Sequence, residues 1–203
     1  MSRMRPTPMR VECLLWDFGD TLCNELSLWR ASPEWMEVYR SFDGGLGAAW
    51  ERGDLDTRGF VVELAKRMTL TEVEILAHLN RTELFEFFPF TYAFFRERHL
   101  PQAIVTVNPT FFSEVVVPGC ALDEVTDVIV VSGEEKTVDK AELCRRALER
   151  MNLSCDPSRA LLIDNKRANL DAWARSGGIG YLYTTDAAFR RDVAWGIDNL
   201  VGS

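Results

Sequence analysis

Residues 11–22, Val11-Glu12-Cys13-Leu14-Leu15-Trp16-Asp17-Phe18-Gly19-Asp20-Thr21-Leu22, open the chain's first regular element. A short, largely apolar run stops abruptly at Asp17. The six residues before it show no polar alternation, which is the pattern of a strand covered on both faces, and Asp17 to Thr21 read as the turn that ends it. An acid at the carboxyl end of a buried strand is also where chemistry gathers in open α/β sheets.

Outward from this stretch the character changes. From Asn24 to Leu100, Trp, Glu, Arg and Leu recur at helical spacing, as in Phe60, Val61, Leu64, Ala65 and Met68. Thr71 before Glu72-Val73-Glu74 reads as a helix start, and Asp54 and Asp56 are candidate caps for the helix before it. Beyond residue 100, strand-like segments alternate with helical ones: Ala103–Val107, Asp127–Val131, Ala160–Ile163 and Gly180–Tyr183. Between the second and third lies a helix over Lys140–Met151, with Leu143, Cys144, Ala147, Leu148 and Met151 on one face. Short apolar strands separated by amphipathic helices imply an α/β fold, a Rossmann-like parallel sheet covered on both faces. The expected organisation is a core of residues 1–23 and 101–203, interrupted by a helical insertion over 24–100.

Composition narrows the function classes. At 203 residues and 47% hydrophobic content, the chain can fill one core and a modest second layer. Its net charge is −8, with no Lys/Arg block long enough to neutralise a run of phosphates, which speaks against nucleic acid as a partner. The five cysteines, Cys13, Cys23, Cys120, Cys144 and Cys155, are scattered without a CxxC pair, so neither a disulfide framework nor a zinc site is expected. A reducing, cytoplasmic setting fits. Met1–Arg10 is basic, but the apolar run Val11–Trp16 is too short for a signal-peptide core, and no run approaches a membrane-spanning length.

Four sets of polar groups sit at predicted strand ends or helix starts. Asp17 and Asp20 follow the first strand, Thr106 and Asn108 end the next core strand, Lys140 opens a helix, and Asp164-Asn165 end the Ala160 strand. Each has an ordinary explanation alone, since Asp and Gly populate turns and caps, and Thr belongs in strands. Lys140 is more telling, because a cation in the first turn of a helix opposes the helix dipole. Independent caps and turns would not be expected to place a carboxylate, a hydroxyl, a cation and a second carboxylate on successive strand ends.

The joint pattern resembles the haloacid dehalogenase (HAD) superfamily. LLWDFGDTL is similar to its first motif, IVTVN to its second, DKAELCRRAL to its third and LLIDNKRANLDAWARSGG to its fourth, while the insertion, with Trp50-Glu51-Arg52-Gly53 and Phe60, resembles a helical cap. The resemblance implies a hydrolase, most simply a phosphatase acting on a small phosphorylated metabolite. Asp17 would be the nucleophile that forms an aspartyl-phosphate. Mg²⁺ would be held by the Asp17 and Asp164 carboxylates and the Gly19 carbonyl, with waters completing its shell. Thr106, with Asn108 beside it, would bind the phosphoryl oxygens, and Lys140 would offset their charge, with Lys136 as a second candidate. Trp29, Arg30 and Trp35 are the cap residues that would face the substrate.

The sequence departs from that pattern at two places. The position two after the nucleophile, usually a second Asp that serves as general acid and base, is Gly19, with Asp20 one place further along as the candidate to take over. In the fourth motif the usual further acids are Asn165 and Asn169. These departures keep two other functions in view: a metal-independent 2-haloacid dehalogenase using the same Asp17, and a non-catalytic phosphate-binding protein. A phosphonate hydrolase would need a cap lysine, and Lys66 on a packed helix is a poor candidate. His78 and His99 lie far from every motif, and Cys23 has no histidine placed to activate it.

Overall fold

The computed structural model describes residues 11–40, 45–126, 128–152 and 156–200. The basic start Met1–Arg10, Asp127 and Cys155 lie outside them. The chain opens with β1 (Cys13–Trp16), followed by the two-residue β2 (Cys23–Asn24) and the helices α1 (Leu26–Trp29), α2 (Pro33–Arg40), α3 (Leu46–Glu51), α4 (Thr57–Ala65) and α5 (Glu72–Leu79). A second two-residue strand, β3 (Glu86–Phe87), pairs antiparallel with β2, so the two ends of this helical excursion are tied together. The chain then runs through α6 (Pro89–Arg96), β4 (Gln102–Thr106), a π-helical turn (Phe112–Val116) leading into α7 (Val117–Gly119), and β5 (Val128–Val131). It closes with α8 (Ser132–Glu135), α9 (Lys140–Arg150), β6 (Ala160–Asp164), α10 (Arg167–Arg175), β7 (Ile179–Leu182) and α11 (Asp186–Val193).

The five long strands form one sheet in the order β5-β4-β1-β6-β7, every pair parallel. The predicted α/β architecture is therefore present. The chain runs outward from β1 to β5 on one side, then returns to β6 on the other, and β1 at the centre is the point where that order reverses. Crevices at such reversals, beyond the carboxyl ends of the strands, are where ligands bind in open α/β sheets.

Strand parity sorts the side chains. Cys13 and Leu15 of β1, Ala103 and Val105 of β4, and Ala160 and Leu162 of β6 pack with Leu143, Cys144, Ala147 and Leu148 of α9 and Trp173 of α10. Leu14, Trp16, Ile104, Leu161 and Ile163 face the other way, into a core that holds Phe95 and Phe189. Trp16 is the centre of that second layer: its ring meets Phe94, Phe95 and Phe189 at 5.7–6.2 Å, and its Nε1 donates to Gln102 Oε1 at 3.2 Å.

Helix ends follow the expected chemistry. Thr71 caps α5 with a complete capping box to Glu74, and Asp56, rather than Asp54, caps α4 by accepting the Gly59 N–H at 2.7 Å. Asp54 instead pairs with Arg52. β4 starts and ends one residue earlier than the pattern suggests, since Val107 already leads into the Asn108-Pro109 turn. α6 falls within the stretch read as insertion, yet it packs on the core: the Asp186 carboxylate of α11 accepts the Phe90 and Thr91 N–H groups at 3.1 and 2.7 Å and the Thr91 hydroxyl at 2.7 Å. None of the described helices is long and apolar enough to cross a membrane.

Candidate active site

Parity also builds the site. Asp17 continues the Cys13-Leu15 row of β1 and Asp164 the Ala160-Leu162 row of β6, so both carboxylates point to the face covered by α9. The strands are neighbours, and the Asp17 N–H donates to the Ile163 carbonyl at 3.0 Å. Lys140, the first residue of α9, reaches between the two acids. Its Nζ lies 2.6 Å from Asp17 Oδ1, 3.1 Å from Asp164 Oδ2 and 2.6 Å from the Val105 carbonyl, so all three ammonium hydrogens have an acceptor. Asp139 caps α9 with hydrogen bonds from Ala141 and Glu142, which fixes where that lysine starts.

All three groups are out of water: Asp17 is 7% exposed, Lys140 2% and Asp164 0%. Burial raises Asp17 to about 6, a rise that Lys140 opposes and the Asp164 charge reinforces. Burial works against the Lys140 charge too, but Asp17 and Asp164 outweigh it and hold the ammonium above the usual lysine range. With both acids ionised the trio carries one net negative charge. Asp17 Oδ2 takes no hydrogen bond among the described residues, while Asp164 is fixed in place: Asn169 Nδ2 donates to both its oxygens and the Lys166 N–H to Oδ1.

The other sequence-derived candidates fall around this centre. Thr106 ends β4 on the opposite parity, with Ile104, and its hydroxyl accepts from Asn108 Nδ2 at 2.7 Å. Ser132, which the sequence reading passed over, holds that corner, since its hydroxyl is 2.7 Å from the Glu51 carbonyl and 2.9 and 3.0 Å from the Asn108 N–H and carbonyl. Lys136 is turned away from the acids: it adopts a left-handed φ of 56° and donates to the Gly53 carbonyl. Gly53 itself has φ +70°, and a Cβ there would stand 2.2 Å from the Gly133 carbonyl oxygen, so only glycine fits this contact between the insertion and α8.

The turn after Asp17 carries three further groups. Asp20 has φ 55°, and its Oδ1 accepts the Glu25 N–H at 3.0 Å. Glu25, also missed by the sequence reading, sets its carboxyl against Gly19. Its acid is pushed up to about 7 by burial, with Lys166 pulling down and Asp17 and Asp20 pushing up. Cys23 is fully buried and its thiol is raised well above the usual range, again by burial, so it stays protonated.

In the insertion, Trp29 and Trp35 do not line an opening. They are buried against each other at 6.0 Å, Trp35 stacks on His78 at 4.0 Å, and Trp29 meets Tyr39, so of the three residues expected to face substrate only Arg30 is exposed. Lys66 points to solvent and pairs with Glu63. A cavity of about 530 Å³ lined by Arg98, Gln102 and Arg150 lies at the amino ends of the strands, away from the acids.

The donors at the centre suit a hard divalent cation. Two carboxylates stand on adjacent strand ends, and Asn165 Oδ1, next to Asp164, is a buried acceptor with no hydrogen-bond partner among the described residues. Among those residues no three His, Cys, Asp or Glu side chains gather as a metal cluster. Any further ligands of such a cation would be backbone oxygen or water.

No protein-family model and no curated protein matches the sequence. Solved structures do match. A HAD-family enzyme of Bacteroides thetaiotaomicron, in complex with magnesium and inorganic phosphate, superposes with a TM-score of 0.67 at 15% identity, covering 86% of this chain and 95% of that one. The fold is that of the HAD family. A HAD phosphatase from Thermococcus onnurineus shares it at a TM-score of 0.67 and 13% identity, over 92% of this chain and 99% of its own. The L-2-haloacid dehalogenase of Xanthobacter autotrophicus, with chloropropionic acid covalently bound, shares it at 0.64 and 14%, over 92% and 84%. These neighbours include both a phosphatase and a dehalogenase, so the shared fold by itself assigns neither chemistry to this chain.

Proposed function

We propose that this HAD-fold protein is a magnesium-dependent phosphatase that hydrolyses a small phosphorylated metabolite through an aspartyl-phosphate on Asp17. The observation that carries the reading is the buried trio of Asp17, Lys140 and Asp164. Lys140 fixes Asp17 by one carboxylate oxygen and leaves Oδ2 free to attack, while its charge stands beside the place where a phosphoryl group would carry negative charge. Asp17 Oδ2 forms the new bond to phosphorus, and the leaving oxygen takes the electron pair of the bond that breaks. Water then attacks the same phosphorus, and the pair of the Asp17–phosphorus bond returns to the carboxylate. Thr106 and Asn108, already hydrogen-bonded to each other, are the polar groups on the next strand end for the remaining phosphoryl oxygens. The Asp17 and Asp164 carboxylates and the Gly19 carbonyl would hold Mg²⁺, which when bound supplies charge neutralisation at the phosphoryl group.

Small size is supported by the closed surroundings. Ser132 and Lys136 of the core are bonded to Glu51 and Gly53 of the insertion, and Asp17 is nearly covered, which leaves little room for a bulky substrate.

Hydrolysis of an aryl phosphate with and without Mg²⁺, in the wild type and in Asp17→Asn, tests the reading. Metal-dependent release that disappears in Asp17→Asn is expected. Metal-independent halide release from a 2-haloacid, with no phosphate release, would make the protein a dehalogenase, and silence in both assays would leave a binding protein.

A further inference from the structure

Gly19 has no side chain, yet the space a side chain would fill there is occupied by an acid. A Cβ built on Gly19 would stand 3.0 Å from Cδ of Glu25 and 3.1 and 3.2 Å from its carboxyl oxygens. Glu25 thus delivers a carboxyl, from six residues further along the chain, to the position two residues past Asp17. The intervening turn is built to do this. Asp20 takes the left-handed conformation, which Asp tolerates better than most residues, and its carboxylate holds the Glu25 N–H. That bond ties Asp20 Oδ1 to the Glu25 backbone, whereas the Glu25 carboxyl oxygens take no hydrogen bond among the described residues. Glu25 is partly buried and within electrostatic reach of Asp17 and Lys166. A carboxyl without a hydrogen-bond partner among the described residues, within electrostatic reach of Asp17 and set against the empty side-chain site of Gly19, serves no evident packing purpose.

We propose that Glu25 is the general acid and base of this active site, a role that rests on the phosphatase reading above. When Asp17 attacks, the phosphorus–oxygen bond to the leaving group breaks and the Glu25 carboxyl proton passes to the leaving oxygen. The resulting Glu25 carboxylate then takes a proton from the water that attacks the aspartyl-phosphate. Phosphate departs, Asp17 recovers its electron pair, and Glu25 is again protonated, so one water is consumed for each ester cleaved. Asp20 acts as a positioning residue through its hold on the Glu25 backbone.

The two half-reactions separate the role of Glu25 from mere support of the turn. p-Nitrophenyl phosphate needs no acid for its leaving group but still needs a base for the second step. With Mg²⁺ present, Glu25→Gln is expected to release a burst of about one nitrophenolate per chain and then to turn over slower than wild type by about 10²–10⁴-fold. No burst is expected from the wild type. The double variant Gly19→Asp, Glu25→Ala is expected to recover steady turnover, because the carboxyl reaches the same space from position 19. A Glu25→Gln variant that turns over at the wild-type rate, or one that is slow without a burst, overturns the role of Glu25 while leaving the phosphatase reading intact. A wild type that releases no phosphate overturns both.

Discussion

Lys140 is a cation at the start of a helix, where the dipole disfavours it by roughly 0.3–1 kcal/mol, and it is buried as well. It stays charged because Asp17 and Asp164 both face it, and they in turn depend on it. Removing the ammonium leaves two buried carboxylates with one cation fewer, and breaking such a pair typically costs about 3–5 kcal/mol. Lys140→Met is therefore expected to lower the urea-unfolding free energy by roughly 3 kcal/mol at neutral pH, and Asp17→Asn in the same chain to restore part of it, as coupled neighbours do. A loss below about 1 kcal/mol, or strict additivity, would contradict the trio as described. At this scale the sequence was informative where a residue's neighbours are set by strand parity. Asp17 and Asp164 follow apolar strands, so their meeting was legible. Glu25 was not, because only the left-handed turn at Asp20 brings it back over Gly19, and no local spacing announces that.

Among the elements, the helices of the insertion were legible from apolar periodicity, and the cap of α5 from Thr71 and Glu74. The β2–β3 pair was not, since two-residue strands carry no period. Nor did periodicity show that α6 packs on the core, a contact made through Asp186, which lies 95 residues beyond Thr91. Within the insertion, His78 of α5 links three helices: its Nε2 is 2.9 Å from the Leu28 carbonyl of α1, and its ring stacks on Trp35 of α2. Burial lowers its pKa, more than the Leu28 carbonyl raises it, and Arg81 adds to the lowering. The unfolded chain binds the proton more readily, at about 6.5, so the stability that neutral His78 supports is full above that pH and declines as pH falls through it. Asp17 and Glu25, raised in the fold, act with the opposite sign, so the comparison must be made against a variant. Between pH 7 and 5, roughly the range spanning the unfolded pKa, wild type is expected to lose stability relative to His78→Phe, which keeps the stack. Parallel pH profiles for the two proteins would contradict the buried neutral ring.

At the scale of the whole molecule, a central β1 with the chain running outward on both sides brings three strand ends to one place. Alternation of short apolar strands with amphipathic helices was enough to anticipate a parallel sheet; the order of its strands followed only from the structure. The sheet sets the backbone of the site, and Glu51 and Gly53 of the insertion are bonded to the core through Ser132 and Lys136. In the proposed reaction this assembly makes Asp17 a nucleophile toward phosphorus. The most direct measurement is to react the protein with an aryl phosphate and Mg²⁺, quench in acid, and locate any phosphoryl group by peptide mass spectrometry. Phosphate on the peptide holding Asp17, sensitive to hydroxylamine as an acyl phosphate is and missing in Asp17→Asn, is the expected result. Turnover with no phosphoryl group on Asp17, or with the group on another residue, would contradict it.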